Sequence, residues 1–254
     1  GLYYGAGWAG GLREFHALRT KAFIETPGCI GWGSGAPLGR CLDQAGVEQK
    51  LAALLDAAEQ AAASDPDPRA LAHVRRDKEL FALTWVAARK DYVENFREIT
   101  AYAKTGPIAV DGALDEADWK NADVLNAFKF AGWKRKQGGD SLAAAQTYVR
   151  VVYEPENLYV AVECLEPAPD RLLHKPAARD EWPFGNKVEI YFNYPDMAER
   201  YYHYCFNTAG AFYDSLCQSI TDHDKAYDGR AEHAIRVLDD RWVLEARFPA
   251  SAIG

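Results

Sequence analysis

The stretch of this chain best suited to hold a ligand runs from Asp180 through Trp182, Phe184, Asn186 and Lys187 to Glu189. It sets a flat indole beside an amide, an ammonium and a carboxylate, where a loop passes into a strand. A planar aromatic group can lie on apolar C–H surface while polar neighbours exchange hydrogen bonds with hydroxyls, the combination a saccharide ring needs. Glu189 alternates with Val188 and Ile190, so its side chain should leave the core that those two enter. The same residues also suit a plain structural role, with Trp182 capping a core and Glu189 an ordinary strand residue. A second candidate is Asp222-His223-Asp224 with Asp228 nearby, which offers oxygen ligands for calcium from Asp222 and Asp224 without the spacing of a dedicated calcium loop. A solvated acidic loop is the other reading there.

Catalytic signatures do not emerge. Glycoside hydrolysis needs two carboxyl groups about 5 to 9.5 Å apart across a cleft, and no pair of acids here has a placement that the sequence can argue. There is no Gly-x-Ser-x-Gly, no His-Glu-x-x-His and no phosphate-cradling glycine loop. The six histidines are scattered along the chain. A non-catalytic chain is the expectation.

Charge narrows the partner. The 254 residues carry 29 Lys and Arg against 37 Asp and Glu. Residues 1–104 hold 13 of each sign, so the acidic excess falls on residues 105–254, with 16 basic and 24 acidic groups. Phosphate backbones attract basic surfaces, which argues against nucleic acid. No apolar run approaches the ~20 residues that span a bilayer. Five cysteines leave at least one unpaired; Cys29 and Cys41, flanking a Gly-rich loop, are candidates for a disulfide, and burial as small hydrophobes is the favoured reading for most of the five. The only methionine is Met197 and the first residue is glycine, so the chain is expected to be a piece of a longer protein.

Two periodicities divide the sequence. Val47, Leu51, Leu54, Leu55, Ala58 and Ala61 recur at helical spacing. A break at Ser64-Asp65-Pro66-Asp67-Pro68 leads into a second helix of about 30 residues or more. Its stripe is Leu71, Val74, Phe81, Trp85, Ala88, Tyr92, Phe96 and Ile99. A shorter helix is predicted over Leu12 to Glu25, followed by a loop from Thr26 to Arg40 in which Trp32 either packs or touches a ligand. From about residue 105 the period becomes two: Val149, Val151 and Tyr153; Val188, Ile190 and Phe192; Trp242, Leu244, Ala246 and Phe248. Such strands should be half buried, with turns at Pro155-Glu156-Asn157, Thr208-Ala209-Gly210 and Asp239-Asp240. The expected fold is α+β with two domains: a helical, bundle-like region at 1–104, then an antiparallel β-sandwich of immunoglobulin-like or jelly-roll-like kind at 105–254.

Four separated phrases carry a family likeness: Pro107 to Trp119, Asn157-Leu158-Tyr159-Val160-Ala161-Val162, Val188-Glu189-Ile190-Tyr191-Phe192, and Trp242 to Pro249. In this order they resemble the β-sandwich domains of carbohydrate-binding module family 9. The resemblance implies that Trp182 stacks on a sugar and that Glu189 hydrogen-bonds its hydroxyls. One extra residue separates the tryptophan from the Val-Glu pair, and Asn186 stands where the family commonly has aspartate. The family pattern continues beyond the last residue here, with a second stacking tryptophan in that part. Structural calcium, an extracytoplasmic location and a polysaccharide or oligosaccharide partner come with the resemblance. Trp119, the family's other recurrent tryptophan, is read as a packing residue, and Trp133 as a further aromatic platform without a motif. The helical half is similar to the region following the barrel in some large glycoside hydrolases of polysaccharide-degrading bacteria, so the other domains of a parent protein are expected partners. Two rivals stand beside sugar binding: an assembly module whose Tyr201, Tyr202 and Tyr204 pack in an interface, and a part of a glycoside hydrolase.

Overall fold

A computed structural model describes all residues except 1–2, 27–35, 96, 130–141, 195–199 and 220. Trp32, Trp133, Cys29 and Met197 therefore lie outside the described residues. The chain divides into two compact units, Gly1–Phe96 and Arg97–Gly254.

The first unit is helical. A π-wound turn at Trp8–Leu12 leads into α1 (Arg13–Glu25), followed by α2 (Ala36–Leu42), α3 (Val47–Ala63) and α4 (Pro68–Phe81). A second π turn, Ala82–Val86, passes directly into α5 (Ala87–Asn95). Asp67 begins α4 by accepting the Arg69 backbone N–H at 3.0 Å, with Pro68 in the first turn, where its missing N–H costs nothing. The apolar stripes meet in one core of Leu12, Phe15, Leu42, Leu51, Leu55, Ala58, Val74 and Phe81. Gly11 makes this possible, because a Cβ there would stand 2.1 Å from the Leu54 carbonyl oxygen of α3. Two expectations need correction. Residues 36–40, read as loop, belong to α2, and Ile99 lies beyond the end of α5. α2 escaped notice because seven residues are too few to display a helical period.

The second unit is a two-sheet sandwich. Its elements are β1 (Tyr102–Ala103), α6 (Ala117–Asn121), β2 (Thr147–Glu154), β3 (Asn157–Leu165), β4 (Lys187–Phe192), β5 (Tyr201–Asn207), β6 (Phe212–Cys217), β7 (His223–Asp224), β8 (Glu232–Val237), β9 (Arg241–Pro249) and α7 (Ala250–Ile253). One sheet has the order β1-β2-β3-β9-β8, antiparallel except for the parallel β1–β2 pair; the other is β4-β5-β6-β7, all antiparallel. The three expected turns fall where β2 meets β3, β5 meets β6 and β8 meets β9. Val160, Val162, Leu244, Ala246 and Phe248 from the first sheet and Tyr204 and Phe206 from the second fill the space between them.

In the first sheet β9 is not half buried as expected: both its faces and those of its neighbour β3 are covered. Residues 105–122 cross the outer face of that sheet and bury it too: Trp119 packs with Ala122, Val152, Tyr159 and Ala161 in a separate cluster. Glu245, outward-facing by alternation, is fully buried there. It accepts the Trp119 Nε1–H at 2.9 Å and the backbone N–H groups of Asp111 and Gly112 at 3.0 and 2.8 Å. Tyr153, expected on the inward row, is 43% exposed instead. Tyr201 and Tyr204 are buried within the unit, which keeps those two from an interface, whereas Tyr202 packs against the core and is partly exposed. Cys41, Cys164, Cys205 and Cys217 are free thiols.

Candidate functional site

The outer face of the β4-β5-β6-β7 sheet carries the chemistry. Alternation sends Val188, Ile190, Phe192, Tyr202, Phe206 and Phe212 inward. The same rule sends Lys187, Glu189 and Tyr191 of β4 to the other face. Register then sets Tyr191 opposite His203 and His203 opposite Ser215, Glu189 opposite Cys205 and Cys205 opposite Tyr213, and Tyr201 opposite Cys217 beside His223. Residues far apart in sequence thus converge on one surface.

Above this surface lies the loop 173–186. Asn207 Nδ2 of β5 donates to the carbonyls of Lys175 and Phe184 at 2.7 and 2.9 Å, pinning both ends of the loop. Asn186 Oδ1 accepts the Leu173 N–H at 3.0 Å, so its side chain braces the loop across its base. Gly185, at φ +96°, lies so close to Leu173 that a Cβ would stand 2.1 Å from that residue's carbonyl oxygen; only glycine fits. These contacts place Trp182. Its indole is half buried, with the Tyr213 ring meeting it edge-on at 5.4 Å, His203 at 5.6 Å and Lys187 Nζ 4.0 Å over the ring.

Glu189 is surrounded by donors. Its Oε2 accepts the Tyr191 hydroxyl at 2.5 Å and stands 3.2 Å from His203 Nε2, while Oε1 pairs with Lys187 Nζ at 3.2 Å. Hydrogen bonding to His203, then to Tyr191 and Lys187, outweighs burial and brings the Glu189 pKa down to about 2, so the group is a carboxylate at neutral pH. Tyr191 is shifted upward by burial and by that carboxylate, and keeps its proton. For His203, burial pulls downward, yet the neighbouring Cys217 and Glu189 prevail and the pKa is raised. Tyr191 stacks on His203 with centroids 4.3 Å apart and an interplanar angle of 15°, and is itself 50% exposed. Phe184, near the end of the loop, is 63% exposed. The surface therefore offers an open aromatic ring in Tyr191, a half-open one in Trp182, and an anion fixed between donors.

Of the residues singled out in the sequence, Trp182 and Glu189 share this surface and are bridged by Lys187, whereas Asn186 serves the loop. Asp222 and Asp224 flank His223, and Asp224 Oδ1 accepts the Ala226 N–H at 3.0 Å. The set of three or more potential metal ligands among the described residues is His203, Cys217 and His223 instead. Tyr191, His203 and Tyr213 were not singled out, and Lys187 was given no contact. Lys187 and Tyr191 were within reach, two residues either side of Glu189 and hence on its face; His203 and Tyr213 needed the cross-strand register. A separate cavity of about 220 Å³ lies over the other sheet beside Trp119, Arg150, Glu163 and Arg241, and there Glu163 pairs with both arginines.

No protein-family model and no curated protein matches the chain. Among solved structures, it is similar to a carbohydrate binding module family 9 protein from Caldicellulosiruptor kristjanssonii, solved with glucose (TM-score 0.39, 16% identity, 60% of this chain and 70% of that one). The same likeness holds for a structure from that organism with cellotriose (TM-score 0.39, 17% identity, 60% and 68%). A provisionally assigned carbohydrate-binding protein from Bacteroides uniformis gives a TM-score of 0.46 at 14% identity, over 60% and 72% of the two chains.

Proposed function

We propose that residues 97–254 bind carbohydrate without cleaving it, on the outer face of the β4-β5-β6-β7 sheet, as a module of a larger extracytoplasmic protein that processes polysaccharide. One observation carries this reading: the half-exposed ring of Tyr191 stands directly beside the Glu189 carboxylate, with Trp182, held by a pinned loop, on the same surface. Aromatic faces suit the C–H surface of a sugar, and a carboxylate kept ionised accepts hydroxyl protons strongly. The pinned loop lowers the ordering cost on binding. The sequence likeness at 107–119, 157–162, 188–192 and 242–249 supports the same reading. So does the acidic balance of residues 105–254, which suits neutral sugars better than phosphate polymers.

Lys187 favours a second reading. Its ammonium lies over the indole, where a sugar could otherwise stack, and this fits a face that docks protein. A glycan array followed by calorimetry separates the two. Sugar binding requires a saturable glycan signal that Trp182→Ala and Glu189→Ala each weaken at least tenfold in a folded protein. Docking requires no glycan signal at all.

No helix among the described residues is long and apolar enough to cross a membrane.

A further inference from the structure

We propose that His203, Cys217 and His223 form a binding site for one Zn²⁺-class metal ion. The three residues come from three adjacent strands, β5, β6 and β7, and their potential ligand atoms all lie within 4.8 Å of one another. Cys217 Sγ and His223 Nδ1 are 3.5 Å apart. A tetrahedral ion with Zn–S of about 2.3 Å and Zn–N of about 2.0 to 2.1 Å sets its sulfur and nitrogen ligands about 3.5 Å from each other. That edge of the site is therefore already at coordination distance.

An orphaned atom points to the ligand. His203 is 4% exposed, and its Nδ1 has no hydrogen-bond partner, a costly state for a buried ring nitrogen. Its other nitrogen, Nε2, faces the ionised Glu189 at 3.2 Å. A carboxylate there accepts a hydrogen bond from Nε2–H, which favours the tautomer whose Nδ1 carries the lone pair a metal needs. Carboxylate-to-imidazole-to-metal is the usual arrangement behind a metal-bound histidine, because the anion both orients the ring and raises its basicity. Cys217, fully buried, has Ser215 Oγ 3.3 Å from its sulfur, a hydroxyl placed to donate to a thiolate. His203 and Cys217 thus each have a second contact that suits coordination.

One thiolate with two imidazoles selects a borderline-soft cation such as Zn²⁺ over Ca²⁺ or Mg²⁺, which prefer oxygen. On binding, the Cys217 thiol loses its proton to solvent as the S–metal bond forms, while His203 and His223 contribute neutral nitrogen lone pairs. Three protein ligands leave a fourth position for water or another small donor. The inference does not rest on saccharide recognition, although Glu189 serves both.

The test uses the full chain, stripped with a chelator and titrated with Zn²⁺ by calorimetry and with Co²⁺ by absorption, no glycan being present. Expected are one ion per chain, a rise in melting temperature, and a near-ultraviolet sulfur-to-cobalt charge-transfer band. Cys217→Ser should remove the band and Cys164→Ser should keep it. Glu189→Gln should weaken Zn²⁺ binding about 10- to 100-fold, the usual range for losing such an orienting group. If Cys217→Ser fails to fold, His223→Gln, on the short partly exposed edge strand, must still lower Zn²⁺ affinity by tenfold or more. The proposal is overturned if the wild-type chain takes up no Zn²⁺, if the cobalt band survives Cys217→Ser, or if His223→Gln binds as wild type does.

Discussion

Replacing Glu245 by glutamine changes one oxygen into an amide nitrogen at a place where each of its hydrogen-bond partners donates. Oε2 accepts two backbone N–H groups, from Asp111 and Gly112, and Oε1 accepts the indole N–H of Trp119, all within 3.0 Å. Glutamine can offer its one oxygen to the backbone pair, and its NH₂ then confronts the indole N–H donor to donor. One buried donor left without an acceptor costs about 1 to 3 kcal/mol. For a domain of this size that lowers the melting temperature by about 2 to 12 °C. Differential scanning calorimetry on wild type, Glu245→Gln, Trp119→Phe and the double variant measures it. Once the indole N–H is gone, the amide no longer confronts it, so the double variant should lose less than the two single losses together, by about 1 to 2 kcal/mol. A Glu245→Gln protein that melts with the wild type, or strictly additive losses, would show that the 105–122 segment is not anchored through this carboxylate.

Gly185→Ala must move the Leu173 carbonyl or the loop, so it should lower the melting temperature and, by displacing Trp182, weaken glycan binding as well; calorimetric titration reads the second effect. Glu154 is held at a pKa of about 2 by Tyr159, then Asn157 and Lys104. Its folded pKa is depressed, so the stabilisation is complete above its ordinary value of 4.5 and is lost as pH falls from there toward 2. Glu154→Gln should flatten that acid limb in urea titrations run at successive pH values, and an unchanged limb would refute the assignment. Tyr191→Ala should reduce glycan affinity more than Tyr191→Phe does, because the stacking ring matters and the hydroxyl is already committed to Glu189; equal losses in a titration would reverse that ranking.

Local pattern carried much of the fold. α3 occupies Val47–Ala63, where the leucine and alanine spacing placed a helix, and the inward rows of β4 and β9 are those that alternation indicated. Burial of the opposite face of β9 was not legible, since Glu245 looks like an outward residue until a tryptophan 126 positions earlier donates to it. The Trp182–Glu189 neighbourhood could be read because it lies within eight consecutive residues. His203, Cys217 and His223 could not: they sit on three strands, and only the β5–β6–β7 register brings their ligand atoms together. The loop-bracing role of Asn186 was not legible either, because its Oδ1 meets the backbone N–H of Leu173, thirteen residues earlier.

The most direct measurement of the central claim is a calorimetric titration of the wild-type chain and its Trp182→Ala variant with soluble oligosaccharides drawn from a glycan array. Expected is saturable binding of at least one oligosaccharide to the wild type, weakened tenfold or more in a variant whose melting temperature stays close to the wild-type value. Equal affinity in both proteins, or no heat with any glycan, would contradict a saccharide site on this face.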